Sequence, residues 1–548
     1  MNGSISRSIN GSINRSMASS MRGSRFLRIC LLCAALAAFF IGANFTRGNS
    51  PGFTTPSPFG AVAQAAAPAP LAQSKVTAVA VSGSERIGTF HATAYQRTWG
   101  TISGIVAPDE NVHWLTSLPH DADGNYKYTA EFELIAPAQA NRNSVVVVEV
   151  ENRGSPILLA ALHELSGGGP PSSIAYPQDF GNGFLFDHDT SYARVQWQYG
   201  IAAGVPENAQ GVGEVIVRDF GRVLAGRTKI AAASNFDPGV YRTLILAGIS
   251  QSGFYINTFL AEGFNTDPAT GRGVFDGAIA VDGTGNWLAL NQLGKENDSP
   301  EFPYLVPNGK PLAPSELLRR PQSDPYYIDI ANYTVFYRLR ATLTDGDISR
   351  PAKMRRYDWP SPHARIPGGH ATAARLGKCN NGEPTDVNPI SYAPYLRAIT
   401  LELERTLGVP SAKDAPPLPA STLFQLGHAP ASTANFNPLP GIEMHVPATG
   451  KDDQPIGGVR FPEVENPVGR PVPVSLSPVL TTSIGETCGN LGGWQPFTTA
   501  ELAKRYGDQS KYVKLYGDSV DKLIAAGYLL AADRAEMLKT AASLYANQ

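Results

Sequence analysis

The sequence predicts an α/β fold: a mostly parallel central sheet with helices on both faces, followed by a long C-terminal extension. Three observations predict it. Strand-like and helix-like segments alternate through the first two thirds of the chain, as parallel sheets with helical crossovers require. A β-branched run, Ser144-Val145-Val146-Val147-Val148-Glu149-Val150, has the texture of a central strand covered on both faces. A second apolar run, Thr243 to Ala247, passes through Gly248 almost directly into a helical pattern. At 548 residues, 43% hydrophobic and 17% charged, the chain has the composition of a folded protein with a large core.

The N-terminus is of another kind. No acidic residue precedes Glu85, and Arg7, Arg15, Arg22, Arg25 and Arg28 lead into an apolar run from Ile29 to Ala43. A basic segment, a short apolar segment and then small residues describe a secretory signal, with Ala61-Val62-Ala63 and Ala63-Gln64-Ala65 as cleavage sites. The run is shorter than the roughly 20 residues that span a bilayer; an uncleaved anchor is the alternative. The Ser-Ile-Asn repeats ahead of it are low-complexity. Residues 1–63 are therefore expected to be removed, with residues 64–75 as a linker, and the protein to be periplasmic or secreted. The formal charge of −2 would fall to about −8 with the six arginines lost. Neither value suggests a nucleic-acid surface. Cys30 and Cys33 lie inside the apolar run, which leaves Cys379 and Cys488 as an even pair for an oxidising compartment.

From Lys75 the core begins, with Val76, Ala78 and Ala80 in alternation. Tyr126 to Leu134 alternates as a strand, and Tyr192 to Trp197 is another. Val212 to Leu224 and Phe254 to Glu262 carry helical spacing, and Gly277 to Val281 is the next short strand. Lys353 to Trp359 reads as the last strand of a core spanning residues 76–379. In the extension, 380–548, Tyr395 to Leu407 is an amphipathic helix. A Pro-rich stretch follows, then helices from Thr498 to Tyr506 and from Asp518 to Tyr545.

The chemistry is concentrated at Gly248-Ile249-Ser250-Gln251-Ser252-Gly253. A serine hydroxyl attacks only if it is exposed and a base takes its proton. A sharp strand-to-helix turn exposes it, and that turn needs small residues two before and two after. Gly248 and Ser252 frame Ser250 in this way. Framed by Ser250 and Phe254, Ser252 is the poorer nucleophile. The helix start also favours a developing oxyanion, with the N–H of Gln251 as one donor. The plain alternative is a turn whose hydroxyl caps the helix. A second donor is expected from Arg153 in Asn152-Arg153-Gly154, directly after the β-branched run. Ser166-Gly167-Gly168-Gly169 lies further from the strand and reads as a flexible turn.

The base should follow the last strand. His363, in Pro360-Ser361-Pro362-His363-Ala364, fits, and His370 competes. The acid should lie between serine and histidine. Asp347 in Thr344-Asp345-Gly346-Asp347 is the choice, with Asp345 nearly as good and Asp282, after the strand ending at Val281, a third candidate. The 16 residues from Asp347 to His363 leave little room for a helix between the acid and histidine strands.

Taken in order, several segments resemble the bacterial alpha/beta hydrolase domain-containing family of exported proteins. They are Arg97-Thr98-Trp99-Gly100, Glu149 to Gly154, Gly183-Phe184-Leu185, Val217-Arg218-Asp219-Phe220, Gly248 to Gly253, Tyr357 to His363 and Gly457 to Pro462. The resemblance covers about 90 to 545 and implies the α/β-hydrolase fold, export and a serine-hydrolase mechanism. The chain departs from the pattern at Trp359-Pro360-Ser361-Pro362, where a Gly-Thr turn is usual, and in its Thr-Asp-Gly-Asp acid segment, where Glu-Thr-Asp is more typical.

The expectation is a carboxylic-ester hydrolase using Ser250, His363 and Asp347 on a small acyl ester. Acyl transfer, or amide or lactone cleavage, at the same serine is the alternative within enzymes, and a non-catalytic binding protein of the same fold is the alternative outside them. No H-E-x-x-H, P-loop or surviving C-x-x-C pair is present, so neither a metal nor a nucleotide cofactor is expected.

Overall fold

The computed structural model describes residues 73–112, 115–139, 145–165, 180–206, 211–230, 236–288, 313–338, 341, 351–363, 375–379, 383–428, 445–472 and 491–547. Residues 70–548 form one compact unit. The signal and most of the linker, the Ser166–Gly169 turn, Asp345, Asp347, His370 and Cys488 lie outside the described residues, as does the side chain of Cys379.

Nine strands make the main sheet: β1 (Lys75–Phe90), β2 (Thr93–Val106), β3 (Tyr126–Pro137), β4 (Val145–Glu149), β5 (Ser191–Val195), β6 (Thr243–Ile249), β7 (Gly277–Val281), β8 (Tyr326–Asn332) and β9 (Met354–Trp359). Their order is β1-β2-β3-β5-β4-β6-β7-β8-β9. The first three pair antiparallel, as do β3 and β5, and the remaining neighbours run parallel.

The two faces separate along single strands. On β4 and β6, Val146, Val148, Leu244 and Leu246 join one apolar cluster with helices α3 (Gly211–Leu224) and α4 (Gln251–Ala261). Their alternates, Val145, Val147, Ile245 and Ala247, join a second cluster. That cluster holds α1 (Ile157–Leu162), α7 (Ala393–Thr406) and the three C-terminal helices. Successive side chains of a strand point to opposite faces, so a run apolar at every position is the signature of this double cover.

Charge crosses the sheet on the second of these faces. Glu85 on β1 pairs with Arg97 on β2, Arg97 with Glu133 on β3, Glu133 with Arg194 on β5, and Arg194 with Glu151 just past β4. Apart from Glu85 these groups are buried, so each charge is tolerable only because its neighbours are of opposite sign.

Three elements differ from the sequence expectations. Thr93 to Val106 forms a long hairpin with β1, whose half-exposed edge position blurs the alternation. Tyr326 to Asn332 is a fully paired strand although Asp329 and Asn332 interrupt its apolar run. The helix expected from Asp518 to Tyr545 is two helices, Gln509–Ala525 and Arg534–Ala546. The first ends at Gly527, whose φ of 84° lets Tyr528 N–H reach Leu523 O and its own N–H reach Ile524 O.

The extension packs on the second face. Arg397 of α7 pairs with Asp533 at 2.7 Å, and Tyr395 of α7 stacks on Phe461. A small antiparallel sheet joins Arg375–Cys379, at the end of the core, to Glu383–Val387, Gly493–Pro496 and Gly469–Val472 of the extension.

Candidate active site

Ser250 stands between β6 and α4 with φ 66° and ψ −124°, backbone values that L side chains seldom adopt. Its side chain is partly exposed. Three features hold the strained turn. Ser250 N–H donates to Val281 O of the adjacent strand at 2.8 Å. The Ser250 carbonyl accepts from Gly253 and Phe254 N–H at 2.8 and 3.1 Å. The turn is also tightly closed: a Cβ at Gly248 would lie 2.6 Å from the Cβ of Ser252, so the first small residue is obligatory. The second close approach falls one position later than the usual pattern. A Cβ on Gly253 would meet Val281 O at 2.8 Å and Gly283 N at 2.9 Å. Ser252 is therefore admitted where glycine is common, because Gly253 makes the backbone contact with the next loop.

Gln251 opens α4, so its N–H is among those a helix start leaves without an intrahelical acceptor. Arg153 lies at the end of β4, the strand beside β6, in a tight turn closed in both directions between Asn152 and Ser155 at 2.9 and 3.0 Å. Arg153 and Gly154 both have positive φ, 51° and 77°. Asn152 Nδ2 donates to Ile249 O at 2.9 Å, which ties this turn to the residue before the serine. Glu151 anchors it from the other side: its carboxylate meets Arg194 at 2.5 Å and its carbonyl accepts from Trp197 Nε1 at 2.9 Å. Glu149, the last residue of β4, accepts from Leu158 and Leu159 N–H and from Tyr192. Burial pushes its carboxyl up to about 8 against those donors.

His363 follows β9, four residues past Trp359, as the sequence suggests. Its Nδ1 lies 2.6 Å from Oδ2 of Asp282, and both residues are buried. The carboxylate beside the imidazole is thus the third sequence candidate, at the end of β7. Asp347 and Asp345 lie outside the described residues. The loop carrying Asp282 is fixed on two sides. Asn257 of α4 donates to Gly283 O and Asn286 O, each at 2.8 Å, and Thr284 Oγ1 donates to Asp329 of β8 at 2.6 Å. Asn332, at the end of β8, was not singled out from the sequence. Its backbone N–H donates to Asp282 Oδ1 at 2.8 Å and its Nδ2 to Oδ2 at 2.9 Å.

Ser250, Arg153, Asp282 and His363 all sit beyond the carboxyl ends of parallel strands, where open α/β sheets place their ligands. Among the described residues no group of three or more His, Cys, Asp or Glu could hold a metal ion.

A strained serine at a strand-to-helix elbow in a mostly parallel sheet, with a histidine past the last strand, defines the α/β-hydrolase class. The chain belongs to the alpha/beta hydrolase domain family, whose model matches residues 185–539. Solved structures with similarity to it include a CE15 glucuronoyl esterase from Teredinibacter turnerae (11% identity, 53% of this chain and 78% of that one, TM-score 0.26). They also include a glucuronoyl esterase from Solibacter usitatus (12%, 49% and 69%, TM-score 0.26) and the esterase Est22 (15%, 39% and 62%, TM-score 0.23). A comparison with curated proteins gives no match.

Proposed function

We propose that this protein is an exported serine hydrolase that cleaves a carboxylic ester of a small molecule through an acyl-enzyme, with Ser250, His363 and Asp282 as its triad. The observation that carries this reading is the 2.6 Å approach of His363 Nδ1 to the carboxylate of Asp282, the residue after Val281, whose carbonyl holds the strained Ser250 turn. An imidazole held this way by Nδ1 has Nε2 as its acceptor, the tautomer a general base needs.

In the first step Ser250 Oγ forms a bond to the ester carbonyl carbon and its proton passes to His363 Nε2. The imidazolium is stabilised by Asp282. The negative charge gathers on the carbonyl oxygen, opposite the N–H groups of Gln251 and Arg153. Collapse breaks the bond to the leaving alkoxide, which takes the proton from His363. Water repeats the sequence with the acyl group bound to Ser250 and releases the carboxylic acid.

The test is labelling by a fluorophosphonate probe together with hydrolysis of a short p-nitrophenyl ester. Ser250→Ala is expected to abolish labelling and to lower kcat by about four orders of magnitude or more. Asp282→Asn should lower kcat by roughly 10³–10⁴-fold, while Asp347→Asn stays near the parent value. Undiminished labelling of Ser250→Ala would end the proposal, and the reverse order of the two aspartate variants would move the acid to position 347.

A further inference from the structure

We infer that Asn332 is a positioning residue for the triad: it fixes the plane of the Asp282 carboxylate and locks the histidine loop to it. The inference rests on the triad reading above and adds to it a residue outside the triad.

The argument begins with hydrogen-bonding capacity. An ionised carboxylate only accepts, so the amide of Asn332 must turn its Nδ2 toward Asp282. That leaves Oδ1 facing away, and Ser361 Oγ donates to it at 2.6 Å. Ser361 is two residues before His363 and fully buried, as is Asn332. The same loop is joined twice more to the turn just past β8: Tyr333 N–H donates to Ser361 O at 2.9 Å, and His363 N–H donates to Thr334 Oγ1 at 2.8 Å. Asn332 thus grips the acid with two donors, one backbone and one side-chain, and grips the base's loop with its acceptor. The two grips are independent in sequence, since Asp282 and Ser361 come from different strand ends.

Oδ2 of Asp282 receives Asn332 Nδ2 and lies 2.6 Å from His363 Nδ1, whereas Oδ1 receives Asn332 N–H. Without the side-chain donor the carboxylate can turn about χ2, and the imidazole loses its fixed orientation. Among the described residues no arginine or lysine pairs with Asp282. Strands β6 and β7 and helix α4 carry no charged residue. On β8 and β9, Asp329 receives Thr284, and Asp358 pairs with Arg356. Arg355, on β9, lies over the Tyr326 ring at the opposite end of β8.

Two substitutions test this by pH profile, which a merely structural role would shift in height but not in shape. Asn332→Leu keeps the branched shape and removes the amide's donor and acceptor. It is expected to lower kcat by about tenfold to a hundredfold with KM little changed, because a small misorientation near the chemistry costs about that much. Its acid limb should also rise, since a carboxylate with one donor fewer holds the imidazolium more strongly. Asn332→Asp sets two carboxyls against each other, and like charges at that range keep one protonated into the neutral range. Protonated, the new carboxyl can donate in place of the amide and so restores activity at low pH. As pH rises and that proton leaves, activity should fall, where the parent enzyme rises to a plateau. Ser361→Ala, which leaves both donors on Asp282 in place, should show a smaller loss of kcat.

Profiles of Asn332→Leu and Asn332→Asp that run parallel to the parent would overturn the inference while Ser250→Ala remained inactive. An active Ser250→Ala would instead remove the triad reading itself. If Asn332→Leu fails to fold, the Asn332→Asp profile decides alone.

Discussion

Glu402 of α7 is buried with neither carboxylate oxygen in a hydrogen bond, and burial pushes its carboxyl up to about 9. It therefore keeps its proton when folded at pH values where the unfolded chain has lost it. A carboxyl whose folded value is raised makes folding less favourable as pH climbs from about 4.5 to the folded value. Glu149 and Glu404, both pushed up to about 8 by burial, and Glu463, to about 7, act in the same direction. His163 acts oppositely. Burial lowers it from 6.5 to about 3, so it weakens the fold as pH drops below its ordinary value. Four such carboxyls outweigh one imidazole, so Tm is expected to decline between pH 5 and 8.5. Glu402→Gln should flatten that decline, raising Tm at pH 8.5 and leaving it unchanged at pH 5; an equal rise at both would show that ionisation is not the cause. None of this is readable from residue type alone. A glutamate on an amphipathic helix is ordinarily solvated, and only the extension folded over the sheet makes this one neutral.

The elbow is an element whose local demands are written locally. Strand, glycine, serine and helix follow within a dozen residues, so the turn was legible before any tertiary contact was known. Its partners were not equally so. The tie between elbow helix and acid loop depends on Gly253 meeting Gly283, residues 30 apart, and neither is marked as a contact by its neighbours in sequence. Gly253→Ala brings a methyl against two backbone groups that cannot swing aside. It is expected to destabilise the protein by about 1–3 kcal/mol and to depress esterase activity further than Tm. Denaturant unfolding beside kinetics would check this, and an unchanged midpoint would show that the loop gives way. The carboxylate beside His363 was hard to read from the sequence for an element-scale reason. A strand with an aspartate and an asparagine inside it does not look like the centre of a sheet until Thr284 and Asp282 are seen to satisfy them.

At the scale of the molecule, sheet, double cover and extension were all legible, because periodicity and β-branched runs report burial without reference to partners. The antiparallel hairpin at the sheet's edge was not, since edge strands are half solvated and alternate weakly. The proposed export is a whole-chain property as well. Among the described residues no helix is long and apolar enough to cross a membrane. Produced in an exporting host, the protein is expected to begin at Gln64 or Ala66. Intact-mass measurement would check this, and a retained Met1 would favour the anchor. Either cut leaves all of β1, which starts at Lys75.

The row of alternating charges from Glu85 to Glu151 has a bearing on how those five strands find one another. Sliding any one of them by a single residue would send its ionic group through to the opposite side, among Val146, Phe132 and their apolar company, and leave each of its neighbours in the row one counter-ion short. Hydrophobic faces tolerate small errors of alignment, but a lock whose pins alternate in sign opens to one key.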